Sequence, residues 1–309
     1  MVHAIENLLA MLIHISVPTF AIASMLSMGL RTPLRTFTRQ LRDRRTVLAV
    51  LGANFVVIPA VGTVIVWLTD PLMPFHAGEG FVIALCAAGA PFVLQLGAMA
   101  KIPYGEIAGP MAVLLLGSIL FMPLVVPLLL QDIEVAGWAV ARLLLGTMLS
   151  PMIAGIVLGA VFPRRADLLA RIAGTAAAVA AVLMFLSGFG SNADLLLQLL
   201  VSPALLVAIG LIVMAFVVGR VAGDLAGETL TVSDGPGIIS SQRNIAAALL
   251  VARADATNDS VVVAILLLSA VGFVLLVPYA LATGLIRRRR DGEKVSLGVL
   301  LGVVGPKSD

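Results

Sequence analysis

The chain has 309 residues, 60% of them hydrophobic and only 12% charged, with a mean hydropathy of +1.10. A soluble domain of this length needs far more polar surface, so the composition excludes a water-soluble globule and points to a one-domain, all-α polytopic membrane protein. Cys86 is the only cysteine, and His3, His14 and His76 lie in separate segments. That pattern excludes an internal disulfide and argues against haem or zinc, so no cofactor or metal site is expected. The 20 basic against 17 acidic residues do not point to nucleic acid, because their distribution follows the bilayer.

A hydrocarbon core of about 30 Å needs roughly 20 apolar residues per helix. On that ruler the sequence predicts nine spans, at 8–30, 46–68, 80–100, 106–130, 137–162, 172–190, 200–219, 226–252 and 259–285. Span one ends in Met28-Gly29-Leu30 and is followed by a loop carrying Arg31, Arg35, Arg39, Arg42, Arg44 and Arg45. Span two contains Asn54-Phe55-Val-Val-Ile-Pro59. Span three carries Pro91 near its midpoint, after Gly89 and Ala90, with Gln95 one turn later. Spans four to seven are apolar, with Lys101 before them and Arg164, Arg165, Arg171 and Arg220 at alternate turns.

Span eight holds the densest polar cluster: Ser233, Asp234, Gly235-Pro236-Gly237, then Ser240, Ser241, Gln242, Arg243 and Asn244. Pro236 has no amide hydrogen and the glycines loosen the backbone, so the helix is expected to break there. Ser233 or Asp234 would cap the helix that restarts. Arg243 lies about 15 Å by helical rise from Arg253 at the outer end. A central arginine costs at least about 2.5 kcal/mol on insertion scales, so it must meet Asp234, backbone carbonyls, water or an anionic ligand. Span nine is followed by Arg287 to Arg290, and the apolar, glycine-rich tail 295–304 is too short to span.

With nine alternating spans, 17 of the 20 basic residues fall on one face. The other face holds Asp70, Glu79, Asp132, Glu134 and Asp194, with Arg253 as its one basic residue. The positive-inside rule then places the amino terminus outside and the carboxyl terminus in the cytoplasm, in the cytoplasmic membrane.

Spans three and eight are five apart, so they cross in opposite senses. Interrupted helices at matching places in two halves are the strongest sequence pointer to a transport site built from inverted repeats.

The run Ile239-Ser-Ser-Gln242-Arg243-Asn244-Ile-Ala-Ala-Ala-Leu249 resembles the crossing helix of the bile acid:sodium symporter superfamily. Asn54-Phe55-Val-Val-Ile-Pro59 is similar to that family's Gln-Phe-x-x-x-Pro, and Met28-Gly29-Leu30 to its Met-Gly-Leu helix ending. The resemblance implies a core of spans two to four and seven to nine (46–130 and 200–285) and a panel of spans one, five and six (8–30 and 137–190). Together these make one transporter domain, 1–286, with a cytoplasmic tail, 287–309. It also implies crossed half-helices in the core and an organic anion held between core and panel. The family's sodium binders carry Pro-Gly-Gly-x-x-Ser-Asn in the first broken helix, where this chain has Pro91-Phe92-Val93-Leu94-Gln95-Leu96-Gly97. Ile238 stands where they have a glutamate. Sodium prefers about six hard oxygen ligands, so the ordinary two-sodium mechanism is not expected.

The resulting expectation is a secondary transporter of a small or amphipathic organic anion. Its substrate site would comprise Pro91, Gln95, Ser240, Ser241, Arg243 and Asn244. Asp234, Gln242 and Asn54 would couple to a cation or proton. The half-helix amino termini after Pro91 and Pro236 would offer amide hydrogens to the anion. Arg243 would either touch it or stand in permanently for a bound cation. A cation/proton antiporter using Asp234 is the first competitor, and a membrane-embedded hydrolase or methyltransferase the second. The bilayer and the anion are the expected partners; oligomeric state has no signal.

Overall fold

The computed structural model describes residues 2–32, 44–74, 77–129, 137–227, 234–254 and 259–292. Seven helices among them are long and apolar enough to cross a membrane. They contain α1 (Val2–Arg31), α2 with α3 (Arg44–Gly52 and Ile58–Thr69), α6 (Tyr104–Leu129) and α7 with α8 (Gly137–Leu144 and Ser150–Val161). The others are α9 (Pro163–Ser191), α11 (Pro203–Ala226) and α14 (Asp259–Arg290), and the nine-residue α10 (Ala193–Val201) links α9 to α11. Two further segments are each a pair of short helices: α4 (Ala77–Cys86) with α5 (Val93–Met99), and α12 (Asp234–Ser241) with α13 (Ile245–Ala254). These are the expected spans three and eight, both interrupted, the third at the expected place and the eighth further along. The chain is a multi-pass, all-helical membrane protein.

Two proline-linked details recur. A π turn, Ala53–Val57, joins α2 to α3 just before Pro59, and another, Leu145–Leu149, joins α7 to α8 just before Pro151. A proline has no amide for the carbonyl four residues back and its ring crowds that carbonyl. Widening the preceding turn relieves both, with Ile58 donating to Ala53 and Ser150 to Leu145.

Three sequence boundaries need correction. The break in the eighth segment is not at Gly235-Pro236-Gly237, which form the first turn of α12; it lies at Gln242–Asn244. Pro236 is tolerated there because first-turn amides have no helical partner in any case. The sixth span begins at Pro163 rather than 172, since a proline near the first position starts the helix directly after α8. The ninth helix runs to Arg290, five residues past the expected end of the span at 285. Ser233 and the apolar tail 295–304 lie outside the described residues.

Helix α1 packs along α8 and α9, making one group from spans one, five and six. Gly29 and Gly155 bring α1 and α8 into near backbone contact. In the other group α4 lies against α13 and α14, while α5 lies against α12 and α14. Each broken helix therefore meets the opposite half of the other, which is a crossing. Phe185 on α9 reaches Phe273 on α14 with ring centroids 5.9 Å apart, joining the two groups.

The basic ends gather at one pole. Thr32, after α1, shares a hydrogen bond with Tyr104 at the start of α6 (3.1 Å), and Lys101 pairs with Asp291 after α14. Asp234 at the head of α12 binds Arg220 of α11 and Arg287 of α14.

Candidate functional site at the crossing of two broken helices

Broken backbone inside a bilayer leaves peptide groups that lipid cannot satisfy. Here protein supplies the partners. After α4 ends at Cys86, the irregular stretch 87–90 leads into the turn at Pro91-Phe92. Pro91 favours that break, because a residue before proline is biased away from helical geometry, and Gly89 just before it takes a left-handed backbone that interrupts the helix. Ser118 of α6 accepts the Ala88 amide at 2.8 Å and donates its hydroxyl to the Ala88 carbonyl at 2.9 Å. Asn244 donates its backbone amide to the Ala87 carbonyl (2.8 Å) and its side-chain Nδ2 to the Gly89 carbonyl (3.3 Å). Gly89 adopts φ +78°, and a Cβ there would fall on the backbone of Leu115.

The second break is built from the same residue. Asn244 Oδ1 accepts the Ala247 amide at 3.2 Å, the hydrogen bond of a helix N-cap, so α13 restarts on Asn244. One asparagine thus caps its own half-helix and pins the opposite break.

Arg243 is only 2% exposed. Its Nη1 donates to the Leu85 carbonyl at 3.2 Å, and its Nη2 to Asn54 Oδ1 at 3.3 Å and to the Ser240 carbonyl. Leu85 is in the last turn of α4 and Ser240 in the last turn of α12. The guanidinium therefore sits where two helix carboxyl ends converge, each carrying about half a negative charge. Among the described residues no carboxylate pairs with it. Asn54 lies in the π turn, and its Nδ2 donates to the Val50 carbonyl (3.0 Å) and to Ser240 Oγ (2.8 Å).

The expected site residues divide. Asn54, Ser240, Arg243 and Asn244 come together at the crossing. Ser241 is buried, but its hydroxyl donates to the Gly237 carbonyl of its own helix at 2.8 Å. Gln242 is buried on the α14 side: a Cβ on Gly272 would stand 3.2 Å from its Oε1, which has no hydrogen-bond partner among the described residues. Pro91 is half-buried and Gln95 is exposed. Beside them, Phe92 packs edge-on against Phe273 at 4.7 Å.

Asp234 lies apart. It starts α12, seven residues before Ser241, and its oxygens accept from Arg220 Nη1 (2.9 Å), Arg287 Nη2 (2.7 Å) and the Tyr279 hydroxyl (2.9 Å). It meets neither Arg243 nor the other two expected coupling residues. The expected anion-binding helix terminus after Pro236 is also absent, since that proline is inside the first turn of α12 and the terminus belongs to Asp234 at the basic pole.

Sequence reasoning missed Ser118 and two arginines. Arg288 Nη1 and Nη2 donate to the Met99 and Ala98 carbonyls, both at 3.0 Å, and Arg287 Nη1 to the Ala100 carbonyl at 2.9 Å. They close the carboxyl end of α5. Their only sequence signal was membership of a basic cluster. Ser118 gave a weaker one, a single hydroxyl inside an apolar span.

A family model described as Sodium Bile acid symporter family matches residues 19–199. The match includes Asn54 and the first break but stops before Arg243. No individual curated protein matches the chain.

Proposed function

The chain belongs to the sodium bile acid symporter family, and we propose that it is a secondary transporter of an amphipathic organic anion, not an enzyme. The crossing carries this reading. Two helices are interrupted where the chain is otherwise apolar, and each interruption is held by residues of the other repeat. Such a centre supports alternating access, in which the crossed core rocks against the group of α1, α7, α8 and α9 around a fixed midplane site.

Substrate is proposed to lie on the face formed by Pro91, Phe92 and Gln95, next to Phe273 and Phe185. An aromatic wall with one exposed amide suits a ligand with an apolar body and a polar end. The buried positive charge of Arg243 favours an anion across this low-dielectric region without touching it. The protein is placed in the cytoplasmic membrane with its arginine-rich pole inward and its amino terminus outside.

Cation/proton antiport at Asp234 is disfavoured, because two guanidinium groups and a tyrosine already occupy that carboxylate. Uptake into proteoliposomes tests the proposal, with labelled taurocholate and a short keto acid as probes. Concentration-dependent, saturable uptake of either is expected. No movement of any organic anion, with turnover of a lipid substrate instead, would sink the transporter reading.

A further inference from the structure

The site around Arg243 is unusual in what faces the charge. A buried arginine ordinarily meets a carboxylate, because an uncompensated charge in a low-dielectric interior is costly. Here it meets oxygens only: the carbonyls of Leu85 and Ser240 and the side-chain oxygen of Asn54. They come from three segments distant in sequence, and two of them end helices. Converging carbonyl dipoles of this kind make a site for a monovalent cation, whose hydration shell the oxygens replace. Without a carboxylate the site lacks the charge that a divalent ion needs.

We propose that Arg243 is a tethered cation, whose guanidinium permanently fills a monovalent-cation site formed where α4, α12 and the π turn of Asn54 meet. The charge that draws the two helix ends together is part of the chain. The crossing therefore forms without a free ion, and Arg243 is a positioning residue rather than a ligand of the substrate. For the carrier, this means uptake that needs no sodium gradient. Only that consequence rests on the transporter reading; occupancy of the site is read from stability alone, so the two fail separately.

The test is thermal unfolding of the purified full chain in detergent. Wild-type protein is expected to melt at the same temperature in sodium, potassium and choline chloride. Arg243→Ala is expected to melt several degrees lower, and to recover most of that loss in millimolar methylguanidinium or sodium but not in choline. Recovery marks a cation site rather than a packing contact. A folded Arg243→Ala that no small cation stabilises would overturn the proposal, as would sodium-specific stabilisation of the wild type. Should Arg243→Ala fail to fold, Arg243→Lys and Arg243→Met decide. Lysine keeping most of the wild-type stability while methionine loses it supports a tethered charge. Equal loss in both, including failure of both to fold, overturns it.

Discussion

Ser118 Oγ and the Ala88 peptide exchange two hydrogen bonds, accepting from its amide at 2.8 Å and donating to its carbonyl at 2.9 Å. One hydroxyl on an intact helix thus does for a broken one what a neighbouring strand does in a sheet. Ser118→Ala would leave both peptide groups unpaired in a buried place, at about 1–3 kcal/mol for each. A lower melting temperature in detergent is expected, with Ser118→Thr retaining most of the stability. An alanine variant that melts with the wild type would show that the break is satisfied by other means.

Gly89 is held by conformation and by space together. Its φ of +78° disfavours any side chain, and a Cβ would strike the Leu115 backbone. Gly89→Ala is expected to yield little folded protein. Gly210→Ala is the control, since nothing lies within 4 Å of its added carbon, and it should fold normally. Size-exclusion profiles of the two variants check the contrast.

Asp234 and Arg287 should behave as one unit. Asp234→Asn and Arg287→Met are each expected to lower the melting temperature, and the double variant by less than the sum. A coupling of about 0.5–3 kcal/mol is typical of such contacts. Strict additivity would show that the pair, 2.7 Å apart, adds nothing to the junction of α12 with α14.

At the proposed substrate face, Gln95 is exposed. Gln95→Ala should therefore raise KM for the anion several-fold with no change in melting temperature. Phe92→Ala should raise KM as well, and lower the melting temperature by removing its edge contact with Phe273. A Gln95 variant with unaltered uptake kinetics would move the substrate away from this face.

Much of the helical architecture was legible because bilayer thickness fixes helix length. The break at Pro91 was legible too, since proline constrains the residue before it. The second break was misplaced: Gly235-Pro236-Gly237 reads equally as an interruption or as a first turn, and only a tertiary contact distinguishes them. Arg243 was recognisable as buried by its distance from either flank, but two of its three partners come from residues over 150 positions away. Arg287 and Arg288 looked like topological anchors, because a charge count says nothing of which carbonyls they reach. Asp234 was grouped with Gln242 by sequence proximity, whereas a helix of eight residues carries them to different depths.

The pinning of one break by Asn244 also sets a timetable for biogenesis. Asn244 follows Gly89 by 155 residues, so at ribosomal speeds of 5–20 residues per second it emerges roughly 8–30 s later. Ser118 follows Ala88 by only 30 and reaches the membrane first. The nascent first repeat therefore waits with Ala88 satisfied but the carbonyls of Leu85, Ala87 and Gly89 still without their final partners. Assembly of the first break is completed from the carboxyl-terminal repeat backwards, and a chain truncated before Asn244 leaves the Ala87 and Gly89 carbonyls without the partner they have in the full fold.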